Sequence, residues 1–126
     1  MRRALLVTAV VLAGCASLET GPPASVEGRW TGECYHCSVR TFTLVLTQDG
    51  ERLTGTLQAV EPSGLGNLPM VLYDGRVTGR VVRFRTHGVD GVPLTANLEV
   101  SKDGRTLLGK AEHGTPFGLR FTRAGR

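Results

Sequence analysis

The chain contains no apolar run long enough to cross a bilayer as a helix. Its longest, Ala4 to Leu12, falls well short of the roughly 20 residues that a span requires. Helical periodicity is absent too, which removes the amphipathic helices that bundles and α/β folds are built on. Charge of one sign is scarce: 15 basic residues stand against 11 acidic ones, a net +4. With Arg2 and Arg3 set aside as part of a leader, 13 basic residues remain against 11 acidic, or about +2, interspersed along the chain. That pattern excludes a nucleic-acid partner, because such domains concentrate Lys and Arg on one face. No serine or cysteine with a recognisable base and no placed pair of carboxylates stands out, so a catalytic role is not expected. Cys34-Tyr35-His36-Cys37 has no second Cys-x-x-Cys to complete a zinc site and no helix to make it a thioredoxin-like centre.

What is present begins at the front. Met1-Arg2-Arg3, the apolar core from Ala4 and the small residues Ala13-Gly14 have the layout of an export signal. Leu12-Ala13-Gly14-Cys15 resembles the bacterial lipobox, in which the cysteine is lipid-modified and becomes the first mature residue. The resemblance implies a lipoprotein with a multiply acylated Cys15, and more than one acyl chain is what stable anchoring needs. Ala16 and Ser17, rather than an aspartate, follow the cysteine. In Gram-negative lipoproteins that implies sorting to the outer membrane, facing the periplasm. The expected organisation is a signal peptide over 1–14, a lipidated cysteine with a small, polar, Pro-rich tether over 15–25, and one domain over 26–126.

Within that domain, alternating patterns recur between turn signals. Phe42, Leu44 and Leu46 alternate with threonines and Val45 before Asp49-Gly50; Leu94, Ala96, Leu98 and Val100 alternate with polar residues before Asp103-Gly104. Phe117, Leu119, Phe121 and Arg123 share one face of the last run. The segments Asp49 to Gly55 and Asp103 to Gly109 share a D-G-x-x-L-x-G pattern, read as similar hairpins. The spacing predicts an all-β chain of eight strands, near 27–33, 39–48, 52–60, 70–78, 81–87, 92–101, 105–112 and 116–123. Eight antiparallel strands in sequence order close into an up-and-down barrel without exposed edges; a two-sheet sandwich is the alternative.

Gly28-Arg29-Trp30 resembles the G-x-W of the calycins, the lipocalin and avidin superfamily, and Arg123 is placed like the arginine that lies across that tryptophan. Leu53 to Leu57 is similar to the second avidin-like hairpin. The resemblance implies a calycin-like barrel closed by Gly28, Trp30 and Arg123, and a binding role for a small apolar molecule. The chain departs from lipocalins proper in having no long loop after the first strand and no T-D-Y motif. It departs from avidins in having one tryptophan where the biotin pocket uses several.

An up-and-down order also sorts the connections. Those after the second, fourth and sixth strands are tight (Asp49-Gly50, Gly79-Arg80, Asp103-Gly104) and lie at one end. The others are expected to be longer and to carry Cys34, His36, Cys37, the 62–69 loop, His87, Asp90, Glu112 and His113 to the far rim. His36, His87 and His113 are therefore the candidate rim-binding residues. Strands lie about 4.8 Å apart, so histidines on alternate strands sit about 10 Å apart and must lean together to share an ion. No metal or cofactor is assigned. In an oxidising compartment Cys34 and Cys37 are expected to form a disulfide, contributing about 2 kcal/mol through so short a loop and stiffening the first rim connection. The stripe Arg83, Arg85, His87 reads as a solvated exterior. The interior set is Phe42, Leu44, Leu46, Leu53, Leu57, Val82, Phe84, Leu94, Ala96, Leu98, Leu107, Ala111, Phe117, Leu119 and Phe121, which favours a filled core. The functional expectation is a lipid-anchored envelope binding module, for a small apolar ligand or for an envelope protein that meets the far-rim loops.

Overall fold

Alternating apolar and polar residues cannot satisfy a helix, but as extended strands they bury one face and wet the other. The computed structural model describes residues 20–35, 41–60, 69–88 and 91–124 and shows only strands and turns in them. In chain order these are β1 (Gly28–Tyr35), β2 (Thr41–Asp49), β3 (Arg52–Val60), β4 (Pro69–Val71), β5 (Tyr73–Thr78), β6 (Val81–His87), β7 (Pro93–Val100), β8 (Thr106–His113) and β9 (Thr115–Arg123). The strands pair antiparallel in sequence order, except that β4 and β5 both pair with β3 rather than with each other, and β9 pairs with β1 to close the ring. The ring is a closed up-and-down barrel with eight wall positions, the architecture the strand spacing predicts.

The fourth wall strand, expected as one piece over 70–78, is two. β4 meets β3 through Thr56–Val71 and Gln58–Pro69, whereas β5 meets it through Arg52–Arg76 and Leu53–Gly75, one residue out of step. The same slip occurs against β6, between Tyr73 and Arg76. Asp74 absorbs the extra residue in a left-handed conformation (φ +56°), which is uncommon for a residue other than glycine. The Asp74-Gly75 pair is thus a bulge within a strand, although its composition resembles the hairpin turns elsewhere. Where the ladder lapses, Thr86 compensates: its buried hydroxyl donates to the Val71 carbonyl at 2.8 Å.

The predicted interior set is buried, except that Phe117 is half-buried at the far rim. Val26, Trp30, Ala59, Leu72, Val77 and Val100 join it. Each fully buried large apolar side chain contributes about 1.5–3 kcal/mol of transfer free energy, so this one cluster is the main source of stability. Gly32 makes room for it, because a Cβ there would overlap the Phe121 ring and approach the Arg120 carbonyl oxygen to 2.8 Å.

One expectation about the loops fails. The β8–β9 connection, expected among the longer ones, is minimal: His113 pairs with Thr115 and Gly114 alone turns the chain, at φ +82°. Only a residue at ease with positive φ closes so short a hairpin.

Candidate functional sites at the two ends of the barrel

The end that carries the tight turns is closed by the chain's own entry segment. Ala24 N–H donates to the Gly79 carbonyl (2.7 Å) on the β5–β6 turn, and Val26 N–H donates to Gln48 Oε1 (2.8 Å) on β2. These two anchors lie on different sides of the ring, so residues 24–26 run across its mouth, with Val26 fully buried beneath it. Gln48 adds donations from Nε2 to the Ala24 and Gly50 carbonyls (2.9 and 3.0 Å). Ala24 and Ser25, assigned to the tether on composition, are therefore bonded to the barrel.

Arg123 completes the closure. Its guanidinium carbon lies 4.4 Å from the Trp30 ring centroid. Nε donates to the Gly104 carbonyl (3.1 Å), Nη1 to Glu27 (2.7 Å) and Nη2 to Ser25 (2.9 Å). Gly28 is what lets the arginine pass: a Cβ there would stand 3.2 Å from Nη1, and its φ of +136° suits glycine alone. Trp30 Nε1 donates to the Val26 carbonyl at 3.0 Å, so the ring edge also holds the entry segment. Gly28, Trp30 and Arg123 thus meet at one place, and the G-x-W spacing has a stereochemical reason here.

Beside this closure lies a concavity of about 510 Å³, walled by Ala24, Ser25, Val100 and the β7–β8 turn. Arg80, Lys102, Arg105 and Arg123 line it against the single carboxylate of Asp103. That carboxyl titrates below the usual range, chiefly because Ser101 Oγ–H donates to it (2.6 Å), and then because the Arg105 amide does so too (3.0 Å).

The far rim is apolar on both sides of the wall. Inward, Phe42, Ala59, Leu72 and Leu94 keep a slight exposure of 5–7%, whereas Trp30, Val77, Leu107 and Phe121 towards the closed end have none. Cys34, Met70 and Phe117 pack partly buried against the same cluster. Outward, Tyr35, Val60 and Val71 are exposed, Val71 at 72%, and Val92, just before β7, is exposed as well.

Of the candidate rim residues, His87 and His113 lie on opposite faces of the wall. His87 alternates with buried Thr86 and shares the exterior with Arg83 and Arg85. Its ring lies 5.2 Å from Tyr73, with Nε2 3.4 Å from the tyrosine hydroxyl. Arg85 sits over the other part of that group, 5.6 Å from the Tyr73 centroid and 3.5 Å from Asp74. His113 follows the inward register of Leu107, Gly109 and Ala111, so it belongs to the opposite face of the wall. Sharing one end of a barrel does not bring alternate residues to one face. Among the described residues no group of three His, Cys, Asp or Glu is placed to hold a metal ion. His36, Cys37 and Asp90 lie outside the described residues, as do Cys15 and nearly all of the 62–69 loop, so the Cys34–Cys37 pairing and the lipid site do as well.

Gln48 and Thr86 are site-building residues that the sequence reading passed over. Both carried a signal: each is the polar member of an otherwise apolar inward series, 42, 44, 46, 48 and 82, 84, 86.

No known protein family and no curated protein matches the chain. Among solved structures, the crystal structure of a point mutant of the fluorescent protein UnaG is similar at 15% identity and a TM-score of 0.49, over 79% of this chain and 96% of that one. At that level neither ligand nor activity transfers, and the barrel assignment here rests on the strand order itself.

Proposed function

We propose that the chain is a non-catalytic binding module of the bacterial envelope, anchored through acylated Cys15 in the outer membrane, that takes a small apolar ligand at its far rim. The observation that carries the ligand reading is the polarity of the barrel. Its apolar lining is sealed at one end by Val26, Trp30 and Arg123 and reaches solvent at the other through Phe42, Leu94, Met70 and Phe117. Since side chains fill the closed half, the ligand sits at the mouth rather than deep in the interior. A clasp between Cys34 and Cys37 would hold the first rim loop beside it, as the oxidising compartment favours.

Native mass spectrometry of the envelope-purified protein, together with titration of a fluorescent fatty-acyl probe, tests this. Met70→Arg at the mouth should abolish probe binding, while Val71→Arg, on the outer face of the same strand, should leave it intact. Bare protein that binds no probe would overturn the ligand reading.

A second reading is favoured by the exposed ring of Tyr35, Val60, Val71 and Val92 around the same rim, since clustered apolar exposure marks interaction surfaces. Here the partner is another envelope protein. Crosslinked envelopes would then lose that partner on Val71→Arg and keep it on Met70→Arg, the reverse of the ligand result.

A further inference from the structure

The closed end carries a charge pattern that the rim-binding reading does not use. Around the concavity beside the entry segment, four side-chain cations face one carboxylate. Two of them are held in place by neutral acceptors. Arg80 Nε donates to the Val100 carbonyl (3.0 Å) while the Val100 amide returns a bond to the Arg80 carbonyl (2.8 Å). Arg123 is fixed by its three carbonyls. Carbonyls orient a guanidinium without neutralising it. Among the described residues the ion pairs are Arg76–Glu51 and Arg85–Asp74, so neither fixed arginine is paired with a carboxylate. Lys102 and Arg105, exposed on the β7–β8 turn, stand beside them. The lone carboxylate, Asp103, is already turned to Ser101 and the Arg105 amide, and the nearby Glu27 accepts from the Gln48 amide (2.9 Å). Positioned cations in a recess are how proteins receive phosphate-type anions.

The same recess is walled by Ala24 and Ser25, so the chain leaves the barrel on this face. Ser25 lies ten positions after Cys15, a reach of at most about 35 Å when fully extended. A membrane holding that cysteine is therefore within reach of this face, where the chain leaves the barrel.

We propose that the Arg80, Lys102, Arg105 and Arg123 recess is a docking site for the phosphate headgroups of anionic lipids, which seats the closed end on the membrane and turns the far rim away from it. The docking chemistry stands on the described residues alone; only the orientation rests on reading Cys15 as the anchor. The test uses the chain from Thr20 onward, whose core lies wholly between Val26 and Phe121 and is thus complete without the lipid. Sedimentation with vesicles of phosphatidylglycerol and phosphatidylcholine should pull it down, and vesicles of phosphatidylcholine alone should not. Each basic residue near an anionic surface contributes about fivefold to partitioning. The triple variant R80E/K102E/R105E should therefore lose binding by about a hundredfold or more, with Arg123 left in place to keep the fold. Lys110→Glu, on the flank of β8, should lose less than about fivefold. Binding should weaken steeply with salt.

Equal binding to both vesicle types, or anionic binding retained by the triple variant, overturns the proposal. So does a saturable response of the Arg80 and Lys102 amides to inorganic phosphate without any vesicle preference, which would make the recess a free-anion site. Acylation of Cys15 is read separately, by mass spectrometry of the full chain from the envelope, and its absence would remove the orientation while leaving vesicle binding to stand.

Discussion

Replacing Arg123 with methionine keeps the aliphatic stem that covers Trp30 and removes the planar charge. The structure sets what is lost: three hydrogen bonds to the carbonyls of Gly104, Glu27 and Ser25, and the cation held 4.4 Å above the indole centroid. A net hydrogen bond contributes about 1 kcal/mol, and a cation–π pair about 0.5–1 kcal/mol when partly exposed. Two of the three bonds lie near solvent, so water replaces part of what they gave, and the expected cost is about 3 kcal/mol. For a domain of this size that corresponds to a fall in Tm of about 15 °C. Trp30 is the sole tryptophan and is fully buried, so its fluorescence reports urea unfolding directly. Arg123→Lys separates the contributions. It keeps a charge above the ring but cannot fork to three carbonyls, and should recover about 1 kcal/mol. Hydrogen exchange should show the loss first at the Ala24 and Val26 amides, since the entry segment is what the arginine holds. A methionine variant within about 0.5 kcal/mol of the parent, inside the range of an ordinary surface substitution, would refute the closure argument. Full recovery by lysine would refute the part of it that depends on geometry.

Gly32→Ala should destabilise the barrel by about 2 kcal/mol through overpacking against Phe121, read by thermal denaturation, with Phe121→Leu in the same chain restoring part of it. Thr86→Val deletes the hydroxyl donated to Val71 with little change of shape, and should cost about 1 kcal/mol while speeding exchange at Leu72 and Tyr73, next to the interrupted ladder. The depressed pKa of Asp103 means that its folded-state bonds stabilise the 101–106 turn above the ordinary carboxylate range. That contribution is lost as pH falls through the lowered folded value; carboxyl NMR titration should place it below 3.8, and Ser101→Ala should move it back upward.

Most of the fold was legible because it is written in a period-2 code. Inward residues on β2, β7 and β9 alternate without a break, and Asp-Gly or Gly-Arg pairs mark the closed-end turns. The fourth wall strand was not legible in that way. A bulge shifts the alternation by one residue, so Leu72 and Val77 are both buried although they differ in parity, and no single period accommodates them. The same limit governed the rim. His87 and His113 end β6 and β8, but the face each takes depends on the register of two different strands, and the registers set them on opposite sides of the wall.

The closed end shows why some residues are better read as polar exceptions than as decoration. At the ends of the inward series stand Gln48 and Arg123, where continuation of the pattern would have supplied another leucine. A hydrophobic residue there would extend the core but leave the carbonyls of Ala24, Ser25 and Glu27 without these donors at the margin of the barrel, where water would replace them only in part. Gln48 and Arg123 meet that need from the wall, which is what allows a segment with no strand partner of its own to cross the opening and bury Val26. One end is thereby fully committed to closure. Any apolar ligand is left with the other end.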